Sequence, residues 1–185
     1  MSLGSTQPSD ILSDAIQAAY NKGTVCVCAA GNDSGPVDFP AAFTDTIAVS
    51  AIGKLGEVNA SSLPALPSDP ILFGRNGYYA ADFTNFGSQI AMTAPGVGII
   101  APVPARFGMS APYAMMNGTS MASPIVSSAI ATVLAKDHDY IGMPRGRDSS
   151  RFVHTISAVA SKSVELPANY EGSGVPTALG KWKKP

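Results

Sequence analysis

"YAMMNGTSMASPIVSSAIATVL", residues 113–134, carries a small-residue turn, Gly118-Thr119-Ser120, directly into a long apolar run. Ala122, Ile125, Val126, Ala129, Ile130, Val133 and Leu134 recur at three-four spacing, the pattern of a helix. Most of the rest is small (Ser127, Ser128, Ala131, Thr132), so the helix is expected to be buried rather than laid on a surface. Pro124 falls within about one turn of its start, where a missing N–H costs little. Ser120 stands at the positive end. A serine there has an ordinary use, since its hydroxyl satisfies an orphan amide. It also has a chemical one, because the field at a helix N-terminus favours developing negative charge.

Outward from this helix the chain alternates between helix and strand. "SDILSDAIQAAYNKG" (9–23) opens on Ser9 as N-cap and closes on Gly23 as C-cap, with Ile11 or Leu12, Ala15, Ile16, Ala19 and Tyr20 at helical spacing. "TVCVCAA" (24–30) is a continuous apolar run, the mark of a strand covered on both faces in a parallel sheet. "TIAVSAI" (46–52) and "QIAMTAP" (89–95) are the next strands, and "DSSRFVHTISAVASKS" (148–163) predicts a further helix. The expected class is α/β with a mostly parallel central sheet. Residues 57–82 hold three prolines and no clean period, which predicts a long surface insertion. No internal repeat is visible.

The 185 residues suit one domain of ordinary size, and a net charge of −1 gives no electrostatic support to a nucleic-acid or anionic-membrane partner. Charged residues make up 14%, against about 25% in an average soluble domain. Either much of the chain is buried, or part of its surface is meant to be covered by more protein. No run of about 18 apolar residues predicts a membrane span, and no basic-then-apolar leader is visible. Cys26 and Cys28 stand two apart on one strand, so their side chains share a face in a geometry unsuited to a mutual disulfide.

"NGTSMASP" (117–124) is similar to the nucleophile motif of the subtilisin-like serine proteases, with Ser120 in the nucleophile position. "VCVCAAGN" (25–32) resembles the strand of that family that ends in a Gly-Asn pair, and "MSLG" (1–4) resembles its substrate-pairing strand. "FPAAFTDTIAVSAI" (39–52) and "FTNFGSQIAMTAPGVGIIAPVP" (83–104) follow the family pattern too, so the likeness spans residues 1 to about 135. The resemblance implies a subtilisin-like three-layer fold and a polypeptide substrate. It implies Ser120 as nucleophile and Asn32 as donor to the oxyanion. Ala29, Ala30 and Gly31 would form one wall of the pocket for the residue before the scissile bond, and Ser2, Leu3 and Gly4 the other. No cofactor is implied. Structural calcium is common among relatives, but Asp33, Asp38, Glu57 and Asp82 show no ligand spacing. Secretion is the family's habit.

One departure is decisive. The family's catalytic order is Asp, then His, then Ser, yet both histidines here, His138 and His154, follow Ser120. His138 is 18 residues on, about 27 Å along a continuous helix at 1.5 Å per residue. His154 has no counterpart in the family's pattern. Another departure, Ile125 where many relatives carry a histidine, falls at a structural position. The chain thus reads as the C-terminal portion of a subtilisin-like catalytic domain, with the insertion at 57–82 and an extension of weaker resemblance at 136–185. Its expected partner is the N-terminal half of that domain, in the same precursor or on another chain. Two functions follow: the serine-bearing part of an endopeptidase, or a relative without catalysis that binds peptide or serves as structure.

Overall fold

The computed structural model describes residues 1–57, 65–104 and 112–177. Ser9 caps helix α1 (Asp10–Asn21) by accepting from the Leu12 N–H. Ile16 and Tyr20 are buried, and Leu12 rather than Ile11 turns inward. The helix ends on Lys22, and Gly23, at φ 88°, takes the left-handed position just beyond.

That turn feeds strand β1 (Cys26–Ala29), which pairs in parallel with the central strand β2 (Thr46–Lys54). On its other side β2 carries β4 (Ile90–Pro95), also parallel. A short β3 (Tyr78–Ala80) adds to β2 antiparallel; Ile52 pairs with both Ala80 and Pro95, so β3 lies on the same side of β2 as β1. The surface reading of 57–82 therefore fails at its end, where Tyr79, Ala80 and Ala81 are buried. Residues 58–64 of that stretch lie outside the described residues.

β2 is buried almost throughout, so its alternation divides the core in two. Ile47, Val49 and Ala51 face helix α2 (Thr119–Leu134), meeting Ala122, Val126, Ile130 and Val133. Ala48 faces the other way, toward Cys28, Ala30, Val37 and Ala41. The β2–β4 register slips by one residue, Ala48 opposing Ile90 and Val49 opposing Met92. The bulge sends Ile90 to the Ala48 side and Met92 with Ala94 to the α2 side. Both cysteines are free, and burial pushes the Cys28 thiol up to about 11.

Beyond a two-stranded β5 (Ile99–Pro102) and β6 (Tyr113–Met116) comes α2, followed by α3 (His138–Gly142) and α4 (Arg147–Val159). Val153 and Ile156 of α4 join the α2 core, and Ser150 Oγ donates to the Tyr20 carbonyl at 2.7 Å. The chain then crosses to the opposite face of the sheet. There Val164, Leu166 and, from α5 (Ala168–Glu171), Tyr170 close over Ile52 and Ala80. β7 (Ser161–Lys162) and β8 (Val175–Pro176) pair at the margin of β4, where Pro176 also meets Ala129 and Val133 of α2. None of the described helices is long and apolar enough to cross a membrane.

The expectation of a fully buried α2 holds on one side only. Pro124, Ser127, Ser128 and Ala131 are exposed. This face carries small and apolar groups where a solvated helix would carry charges.

Candidate active site

Parallel strands bring their loops together at their carboxyl ends, the edge at which open α/β sheets hold ligands. Asn32 follows β1 at that edge, and the start of α2 lies against it. The contact spans 87 residues of sequence: Asn32 Oδ1 accepts the Thr119 N–H at 2.8 Å and the Thr119 hydroxyl at 3.0 Å. A backbone amide can only donate, so the atom facing it is the carboxamide oxygen, and the Thr119 contact leaves Nδ2 unused. Among the described residues Nδ2 has no acceptor, and Asn32 is exposed.

Thr119 is fully buried and also accepts the Gly31 N–H on its hydroxyl at 3.2 Å. It fixes Gly31 and Asn32 to the helix start, and sequence reasoning passed over it. Its only signal was its place between Gly118 and Ser120. Gly118, the residue ahead of the helix, has φ 153° and ψ 155°, a region that side chains rarely enter.

Ser120 is the second residue of α2. Its hydroxyl donates to the Ser2 carbonyl at 3.3 Å. Four residues on, Pro124 has no N–H to give, so the Ser120 carbonyl lacks its helical donor. Ser2 Oγ supplies that bond at 3.0 Å and lies 3.1 Å from Ser123 Oγ. The residues expected to form two walls are thereby tied to the site. The Ala29 N–H donates to the Met1 carbonyl at 2.9 Å, joining the Ser2-Leu3-Gly4 segment to Ala29-Ala30-Gly31. Ala29 and Ala30 are buried, whereas Leu3 is 59% exposed.

The loop after Asn32 is held by Asn85, which is buried and whose Oδ1 accepts from the N–H groups of Asp33 and Gly35 at 2.8 and 3.2 Å. Nothing in spacing pointed to it, since 50 residues or more separate it from both donors.

Neither histidine reaches this edge. α2 runs unbroken for 16 residues before His138 opens α3, about 24 Å at 1.5 Å per residue. His154 lies edge-on to Tyr20, ring centroids 5.5 Å apart, with its Nε2 buried and, among the described residues, unpartnered. Burial lowers its pKa, against a weaker opposing pull from Asp45. Tyr20 and Asp45 precede the amino ends of β1 and β2, so His154 sits at the opposite edge of the sheet from Asn32. Among the described residues no three His, Cys, Asp or Glu side chains gather into a metal-binding group.

The pattern of the subtilase family matches residues 1–173. The chain is 31% identical over 139 residues to the minor extracellular protease Epr of Bacillus subtilis strain 168, covering 74% of this chain and 17% of that protein. It is 31% identical over 163 residues to a thermophilic serine proteinase of Bacillus sp. strain AK1, covering 88% and 32%. The chain thus spans well under half the length of these relatives. Among solved structures, a protease of Pseudoalteromonas arctica PAMC 21717 superposes with a TM-score of 0.68 at 25% identity, over 96% of this chain and 48% of that one. The prenylagaramide maturation protease PagA shares the fold, with a TM-score of 0.67 at 20% identity over 97% and 58%. The match over nearly the whole chain, together with the Asn32–Thr119–Ser120 junction, gives the conclusion: this chain belongs to the subtilase family.

Proposed function

We propose that this chain supplies the nucleophile and oxyanion-binding part of a serine endopeptidase. The observation that carries the reading is the orientation of Asn32. Thr119 holds its carboxamide oxygen, leaving the N–H₂ free beside the helix start that bears Ser120. In acyl transfer Ser120 Oγ bonds to the scissile carbonyl carbon, and its proton passes to a base. The carbonyl oxygen gains the negative charge, with Asn32 Nδ2 and the Ser120 N–H as donors to it. The latter is one of the helix's orphan amides. The base later protonates the leaving amine, and water releases the acyl group.

The base and its carboxylate come from outside this chain, from the other portion of the domain. Two surfaces suit such a partner. One is the exposed α2 face around Pro124 and Ser128. The other is the groove between β1 (Val25, Val27) and α2 (Ser127, Ile130, Ala131, Leu134), where a neighbouring strand would extend the sheet. Ser2-Leu3-Gly4 and Ala29-Ala30-Gly31 would flank an extended peptide.

Kinetics on a protein that contains this chain together with the remainder of its domain test the reading. Ser120→Ala should abolish peptide hydrolysis. Asn32→Ala should lower kcat by about 10²–10³, the loss measured for this donor in subtilisin itself, with little change in KM. The second reading, a non-catalytic peptide-binding relative, is favoured by the absence of any histidine near Ser120 among the described residues. Peptide binding without Ser120-dependent hydrolysis in that longer protein would establish it and overturn the first.

A further inference from the structure

Three backbone segments are pinned together beside Asn32. The Asp38 N–H donates to the Ala30 carbonyl at 2.8 Å. One residue on, Phe39 exchanges both backbone bonds with Ser5, at 2.8 and 2.9 Å. Residues 38–39 thus form a floor joining the wall at Ala29–Gly31 to the wall at Ser2–Gly4. The Asp38 side chain rises between them. A Cβ built on Gly31 would stand 2.5 Å from Asp38 Oδ2, and one built on Gly4 would stand 3.2 Å from the same atom. Any side chain at Gly31 would collide with this carboxylate and with Asn85, and its φ of 111° also requires glycine.

Asp38 is 9% exposed, and among the described residues its carboxylate has no hydrogen-bond donor and no cation. Burial raises its pKa, and among the described residues the charge acting on it, Asp33, is another acid. The backbone of Asp38 is buried while its carboxylate oxygens remain open to a ligand between the two walls. The two walls are those assigned to the residue before the scissile bond, so the partner that completes Asp38 arrives with the substrate.

We propose that Asp38 selects a cationic side chain, lysine or arginine, immediately before the scissile bond. The proposal rests on the endopeptidase reading above and adds a substrate class to it. A guanidinium or ammonium group entering between Gly4 and Gly31 meets the Asp38 carboxylate and forms charge-assisted hydrogen bonds with it. An apolar side chain there would cover the carboxylate without pairing it, so discrimination comes from both gain and penalty.

The test uses benzamidine, an aryl amidinium, and its neutral relative benzamide, titrated into the chain by NMR. Benzamidine should bind, shifting the amide signals of Gly4 and Gly31, and benzamide should not. Asp38→Asn, which is isosteric, should weaken benzamidine at least about tenfold, the loss of one charge-assisted hydrogen bond. The Gly4 and Gly31 shifts in the unaltered chain decide the matter should that variant misfold. In a longer protein that hydrolyses peptides, cleavage should follow Lys and Arg, and Asp38→Asn should erase that preference. Absent benzamidine binding, equal binding of benzamide, or Ser120-dependent cleavage after apolar residues that is indifferent to Asp38→Asn would each overturn the proposal. The last of these would leave the endopeptidase reading standing. Asp38-dependent benzamidine binding in a longer protein without hydrolysis would do the reverse.

Discussion

Asn32 and Thr119 are locked together by two hydrogen bonds to one carboxamide oxygen, at 2.8 Å from the Thr119 N–H and 3.0 Å from its hydroxyl. The pair links the carboxyl end of β1 to the amino end of α2, and so places a free amide donor beside a helix-start serine.

Thr119→Val keeps the shape and removes the hydroxyl, leaving the Gly31 N–H without its acceptor. An unsatisfied buried donor costs about 1–3 kcal/mol. Chemical denaturation should show a loss in that range, and Thr119→Ser should recover most of it. A neutral Thr119→Val would mean that water or another group replaces the hydroxyl.

Gly118→Ala isolates backbone strain. An added Cβ would lie 3.6–3.7 Å from Met121 Sδ and the Asn32 carboxamide, ordinary contacts, so crowding contributes little. The φ of 153° is the cost, about 1–3 kcal/mol for a conformation that is essentially glycine's alone. The same denaturation measurement reads it. In a hydrolysing longer protein the variant should also lose activity, because the turn that presents Ser120 must shift.

The lowered pKa of His154 makes stability depend on pH. Above the ordinary imidazole value near 6.5, folded and unfolded chains are both neutral at this group. As pH falls from there, the unfolded chain takes up a proton that the folded chain resists until its lower pKa is reached. The stabilisation is thus full above about 6.5 and declines as pH falls through the folded value. His154→Phe, which retains an aromatic ring against Tyr20, should flatten the stability profile below about pH 6.5. An unchanged slope would assign the acid sensitivity to other groups.

The sequence exposed the parts of the fold that repeat. α1, β1, β2, β4 and α2 show as periodic or continuous apolar runs because each covers a long buried surface. β3 does not, since three residues cannot display an alternation, and Tyr78–Ala80 becomes a strand only by pairing with Ile52–Lys54. For the site, Ser120, Asn32 and the two walls stand in short motifs. Thr119, Asn85 and Asp38 owe their positions to contacts across 50 or more residues or to a folded-back loop, which no local pattern records. Asp38 was visible only as an acid in the apolar stretch "PVDFP" (36–40), with no indication of the glycines it would face. The open α2 face was misjudged because a helix apolar on all sides reads as buried, whether its cover lies in the same chain or elsewhere.

The most direct measurement is fluorophosphonate labelling of Ser120, read by mass spectrometry on the isolated chain and on a protein that carries the remainder of the domain. The isolated chain should label no faster than its Ser120→Ala variant, because among the described residues no base stands near the hydroxyl. The longer protein should label at Ser120 alone, and Ser120→Ala should abolish it. Rapid Ser120 labelling of the isolated chain, or none in a folded longer protein, would contradict the account.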